Sequence, residues 1–153
     1  MNISEMLERE EGFRSKPYIC SGGYPTIGIG WKIGRHNQSL NDFEIMTICK
    51  SAAHDQCEFM VAGVTASLSN RLSFFYDLSE ARQCVLISMA YQMGINGLLG
   101  FKNMIDAIEE GDFINAAHEG LDSLWAKQTP ERAERQMKTL LHGKWSEYEA
   151  AHN

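Results

Sequence analysis

One segment limits the choice of fold more than any other. Residues 80–93, EARQCVLISMAYQM, place Cys84, Val85, Leu86, Ile87, Met89, Ala90 and Tyr91 around every side of a helix. A helix that is apolar all round is stable only when buried, so other elements must wrap it. Gly94 follows directly and ends it. The remaining C-terminal sequence offers the wrapping: helices are expected at about 101–109, 112–122, 123–126 and 130–140, the last opened by Thr129-Pro130. GLLGF, at 97–101, reads as a tight connection.

The N-terminal third differs. Residues 3–11 form a short helix with Ile3, Met6 and Leu7 on one side, Ser4 as its cap and Gly12 as its stop. From Lys16 to Trp31 the pattern is that of strands: KPYIC is extended, SGG turns, and YPTIGIGW alternates. This predicts a hairpin, with a third strand near Trp31–Gly34 and with Pro17 and Pro25 at strand edges. Ser39 then opens a long helix. Phe43, Met46, Cys49, Ala53, Cys57, Met60 and Val64 recur at spacings of three and four, so the helix runs to about residue 64. The fold class is α+β, mostly α: a small N-terminal β-hairpin lobe, about 12–60, joined by the long helix to a larger helical lobe of 1–11 and 61–153. Together they make a single domain, 1–153, long enough to bury a real core.

The formal net charge of −6 argues against a general nucleic-acid binder, which needs a concentrated basic surface. Charge is unevenly spread. Residues 106–122 hold six acids and no Lys or Arg, whereas 127–144 hold five Lys or Arg against two Glu. No stretch reads as a secretory signal or a membrane span, so synthesis and folding in a host cytoplasm are expected. The cysteines are Cys20, Cys49, Cys57 and Cys84. On one helix Cys49 and Cys57 lie roughly 12 Å apart, too far for a disulfide. His54 beside Cys57 raises a metal site, but the spacing fits no zinc motif. The expectation is two buried thiols beside an exposed His, with no metal and no organic cofactor.

Glu11 ends a helix next to a hairpin that carries Cys20 and Thr26. An acid facing a second polar group across a cleft is what glycoside hydrolysis requires. By pattern alone, Glu11 reads first as a solvated helix-end acid. A buried packing thiol is the commonest fate of a free Cys, but the hairpin position of Cys20, facing a polar cleft, argues against it, and no disulfide partner is evident.

The order of motifs goes further. MNISEML followed by EGFRSKPYICSGGYPTIGIGW, then ARQCVLISMAYQMG and LWAKQTPERAERQ, resembles the phage-type lysozymes, the endolysins of T-even phages and their relatives. Their pattern of Glu, eight residues, Asp or Cys, five residues, Thr is met by Glu11, Cys20 and Thr26. The resemblance implies a lysozyme-like fold and cleavage of the β-1,4 bond between N-acetylmuramic acid and N-acetylglucosamine. It implies Glu11 as general acid, with Cys20 in the place of Asp and Thr26 aiding water. It further implies Arg132 as the arginine holding the acid's carboxylate, with Gln92, Trp125, Gln128 and Thr129 around the cleft. Position 31, a His in the best-known member, is Trp31 here, and the chain is acidic where that member is basic.

A free thiol is largely protonated at neutral pH, so Cys20 is a weaker standing anion than Asp but a stronger nucleophile once ionised. Arg14 and Lys16 are close enough in sequence to lower its pKa. Inversion through activated water and retention through a thioglycoside both remain open. The expected partner is the glycan strand of peptidoglycan, met by a monomeric phage or prophage endolysin released to the wall by a holin. A tail-associated or toxin lysozyme module and a non-catalytic wall-binding protein on the same scaffold are the alternatives.

Overall fold

The computed structural model describes residues 1–149, so the last four residues of the single domain expected above lie outside it. Helix α1 spans Ile3–Glu11 and buries Met6 and Leu7. Ser4 lies inside its first turn and is not the residue before it. Gly12, at φ +70°, closes the helix by bonding its N–H to the Glu8 carbonyl at 2.8 Å. Strands β1 (Arg14–Ile19), β2 (Pro25–Gly28) and β3 (Trp31–Lys32) follow as an antiparallel sheet in that order. Pro17 falls in the register shift between Arg14 and Tyr18 on the edge strand β1. Pro25 opens the central strand, where the missing N–H is tolerated.

The long helix departs from expectation. The Ser39 side chain accepts from the Asn41 N–H and caps a 3₁₀ helix, Leu40–Phe43, and no more than that. Residues 44–49 then leave helical structure, and α2 begins at Lys50 and runs to Arg71. The apolar spacing continues across this break, but the backbone does not. The Ile48 N–H is taken by the Ser15 carbonyl, at 3.0 Å, and not by a carbonyl one turn back. Of the apolar stripe only Ala53 and Cys57 are buried. Cys49 is exposed, which corrects the expected pair of buried thiols. His54 is not fully exposed either: its Nε2 lies 3.1 Å from Glu8, whose other oxygen meets Lys50 at 2.6 Å.

Two compact units divide the chain within α2, Ser4–Ala62 and Met1–Ile3 with Gly63 onward. In the second unit α3 (Glu80–Met93) is the buried axis, with nine residues between Ala81 and Tyr91 buried. Gly94, at φ +82°, ends it. The expected tight connection is itself a short helix, α4 (Ile95–Leu99). Helices α5 (Lys102–Glu109), α6 (Phe113–Leu121), α7 (Leu124–Gln128) and α8 (Pro130–His142) follow, and α9 (Ser146–Glu149) had no counterpart in the sequence reading. A side chain on Gly120 would collide with Met137, so α6 and α8 meet closely there. Arg82 ties the start of α3 to the end of α8. Its guanidinium donates to the carbonyls of Leu140 and Leu141 at 2.8 and 3.0 Å and stacks 3.4 Å over the Phe113 ring. Among the described residues no helix is long and apolar enough to cross a membrane.

Candidate functional site

Glu11, Cys20 and Thr26 all lie in the unit Ser4–Ala62. Helix α1 delivers Glu11 at its last residue, and a β-turn after β2 brings Gly30 beneath the carboxyl. An added Cβ on Gly30 would stand 2.8 Å from Glu11 Cγ and Oε2. Gly30 also has φ +65°, a conformation that side chains resist. The acid therefore rests on bare backbone.

Cys20 sits in the hairpin turn, its N–H donating to the Tyr24 carbonyl at 3.0 Å and its carbonyl accepting from Gly23 at 2.9 Å. Thr26, on the central strand and 1% exposed, donates its hydroxyl proton to the Tyr24 carbonyl at 2.8 Å. That hydroxyl is also within hydrogen-bond reach of the Cys20 sulfur. A hydroxyl has one proton. Toward the neutral thiol Thr26 is therefore an acceptor, and toward a thiolate it must turn its proton from Tyr24 to sulfur. Burial pushes the thiol up, but Thr26, the backbone N–H groups of Tyr24 and Gly22, and the Lys32 charge together pull it below the ordinary thiol value. The cation acting on the sulfur thus comes from β3. Arg14, suggested by proximity in sequence, lies instead 4.9 Å over the Tyr18 ring.

Tyr18 is a site residue that the sequence reading missed. It pairs with Thr26 across the ladder, on the strand that ends at Ile19, just before Cys20. Burial first, then the charges of Glu11 and Cys20, push its phenol up, with Arg14 opposing. Tyr18 thus feels both candidate groups. The strand period of two was the available signal for it.

The other five residues lie in the second unit. Trp125, on α7, donates its indole N–H to Gln92 Oε1 at 2.8 Å, and Thr129 donates to the Trp125 carbonyl at 3.1 Å. Phe101 meets the Trp125 ring edge to face at 6.2 Å. Gln128 is exposed and lines an open pocket of about 520 Å³ with Phe101, Asn103, Glu119, Asp122 and Trp125. Arg132 is 7% exposed and donates to Ser88 on α3. Among the described residues no three or more His, Cys, Asp or Glu side chains gather as a metal site.

Comparison with known proteins gives this arrangement its family. The phage lysozyme family model matches residues 8–147. The chain belongs to the phage lysozyme family. Within and around that family it is 32% identical over 97% of its length to the pre-baseplate central spike protein Gp5 of Enterobacteria phage T4, of which it spans only 29%. It is 31% identical to the probable T4-type lysozyme 1 of Dictyostelium discoideum, covering 96% of this chain and 98% of that one. An endolysin of Acyrthosiphon pisum secondary endosymbiont phage 1 is 26% identical over 83% of this chain and 82% of its own. The Thr26 hydroxyl, two backbone N–H groups and the Lys32 charge all act on Cys20 in the direction of the thiolate.

Proposed function

We propose that this phage lysozyme is a muramidase that hydrolyses the β-1,4 bond between N-acetylmuramic acid and N-acetylglucosamine in peptidoglycan. The observation that carries the reading is the Glu11 carboxyl seated on Gly30 in the same small unit as the Cys20–Thr26 pair. Glu11, protonated, gives its proton to the glycosidic oxygen as the C1–O bond breaks. A water held by Thr26 and Cys20 attacks C1, and the thiolate takes the water's proton. The cycle then leaves a carboxylate and a thiol, and exchange with solvent restores both. The groups around Cys20 enlarge the thiolate fraction at neutral pH, which supplies the base this route needs and would equally serve attack of sulfur on C1. The resemblance assigns Arg132 a supporting role in the reaction, and Gln92, Trp125, Gln128 and Thr129 a role in holding the substrate. The similarity to a central spike protein favours a second setting for the same chemistry, as a lysozyme module of a tail particle.

The test is turbidity clearing of permeabilised Gram-negative cells, with new reducing ends counted on purified peptidoglycan. Glu11→Gln should lower turnover roughly 10²- to 10⁴-fold without unfolding the chain. A wild-type protein that sediments with peptidoglycan yet releases no reducing ends would replace this reading with that of a non-catalytic wall-binding protein.

A further inference from the structure

We propose that Lys32 and Tyr24 act as a pair that sets the reactivity of the Cys20 thiol, the Tyr24 ring holding the Lys32 ammonium on the face of the sheet where Thr26 meets the sulfur. The inference rests on the reading of Cys20 as the base of the reaction, and every group it uses lies in the unit Ser4–Ala62. Lys32, on β3, is the ladder partner of Thr26 on β2, and Thr26 is the partner of Tyr18 on β1. Directly opposed residues of an antiparallel ladder share a face, so Tyr18, Thr26 and Lys32 form one row. The Thr26 hydroxyl reaches the Cys20 sulfur, which brings the thiol to that row.

Tyr24 meets every member of this group. Its carbonyl accepts from the Cys20 N–H at 3.0 Å and from the Thr26 hydroxyl at 2.8 Å. Its own N–H acts on the sulfur. A Cβ on Gly22 would lie 3.5 Å from the Tyr24 ring and 3.7 Å from the Cys20 sulfur, so ring and sulfur flank one small gap. Lys32 Nζ stands 4.6 Å from the ring centroid, within cation–π range. An exposed lysine ordinarily keeps its rotamer freedom and its charge is spread over many positions. Here the ring gives the ammonium a resting place. Burial pushes the thiol up; Thr26 and the backbone N–H groups of Tyr24 and Gly22 oppose it as dipoles, and Lys32 adds a full charge. The other titratable groups at this face are Tyr18, with Arg14 over its ring, Glu11, whose charge acts on Tyr18, and His36, edge to face with Tyr24 at 5.2 Å.

Site-resolved alkylation tests the pairing. The folded protein is reacted with iodoacetamide across pH, and the peptide carrying Cys20 is quantified by mass spectrometry apart from those of Cys49, Cys57 and Cys84. Lys32→Met should slow alkylation at neutral pH roughly two- to fivefold, the size of a solvent-screened charge pair, by moving the midpoint to higher pH. The plateau reached at high pH should not fall, as it would if the variant merely buried or disordered the thiol. Lys32→Arg keeps a cation for the ring, and Tyr24→Phe keeps the ring, so both should match the wild type. Tyr24→Leu should move the midpoint in the same direction as Lys32→Met, and combining the two should add nothing to Lys32→Met alone. Turnover on peptidoglycan at neutral pH should fall in the same order as the thiolate fraction. A Lys32→Met midpoint equal to that of the wild type overturns the inference, as does a Tyr24→Leu shift that adds in full to that of Lys32→Met. Lys32 is exposed, so its variants keep the test decisive should Tyr24→Leu fold poorly. The alkylation profile does not depend on turnover, so a wild type that releases no reducing ends would sink the muramidase reading and leave this result standing.

Discussion

Replacing Gly30 with Ala tests whether the seat of Glu11, the proposed acid, matters. The substitution adds one methyl group in a place where the structure leaves no room. Gly30 has φ +65°, and a non-Gly residue in that region costs about 1–2 kcal/mol. The new Cβ would stand 2.8 Å from Glu11 Cγ and Oε2 and 2.9 Å from Cδ. Ordinary contact begins near 3.4 Å, so the carboxyl must retreat by about 0.6 Å. A misplacement of about 1 Å can cost 10²-fold in rate, so turnover should fall roughly 10- to 100-fold. Gly111→Ala is the matched control. Gly111 also has positive φ, +76°, but a Cβ there meets nothing within 4 Å. Both variants should lose comparable stability in urea unfolding, and only Gly30→Ala should lose turnover on peptidoglycan. Equal turnover in the two variants would refute the argument that the bare backbone of Gly30 positions the acid.

Other outcomes follow from the same structure. Cys20→Asp should retain substantial turnover, whereas Cys20→Ser and Cys20→Ala should lose most of it. Iodoacetamide should inactivate the wild type faster as pH rises through a thiol value held below the ordinary one, with protection by substrate; wild-type clearing by the Ser and Ala variants would reduce Cys20 to packing. Arg82→Ala removes two bonds to the last carbonyls of α8 and a stacked ring, and should cost about 2 kcal/mol in chemical denaturation. The Lys50 hydrogen bond, opposed by some burial and helped by the charges of Lys50 and His54, lowers the Glu8 carboxyl below its ordinary 4.5. Its stabilisation is therefore present above 4.5 and fades as pH falls through the lowered value. Glu8→Gln should accordingly be destabilised at neutral pH and match the wild type in strong acid, and a pH-independent difference would contradict the pairing.

The elements most legible in the sequence were those whose signals are local. Helix α3 was bounded at Glu80 and Met93 because continuous apolarity and Gly94 need no partner to be read. Helix α1 was bounded at Ile3 and Glu11 by its apolar side and Gly12, and the hairpin by its turn residues and alternation. The triplet Glu11, Cys20 and Thr26 was likewise available from spacing and family pattern, since helix end and hairpin are adjacent in sequence.

What failed did so where a distant group outbid a local one. The three- and four-residue spacing from Phe43 to Val64 looks helical throughout, yet Ser15 captures the Ile48 N–H and the helix waits until Lys50. Periodicity records which side chains could share a face; it does not record which carbonyl wins an N–H. The same limit hid the supports of the site. That Glu11 rests on Gly30, that Lys32 and not Arg14 acts on Cys20, and that Ser88 receives both Arg132 and Gln136 are facts of tertiary structure. The sequence by itself determined which chemical groups this protein has and the local elements that carry them. Only the packed chain decided which groups meet, because an interaction effective over about 3 Å depends on where two segments come to rest and not on how many residues separate them.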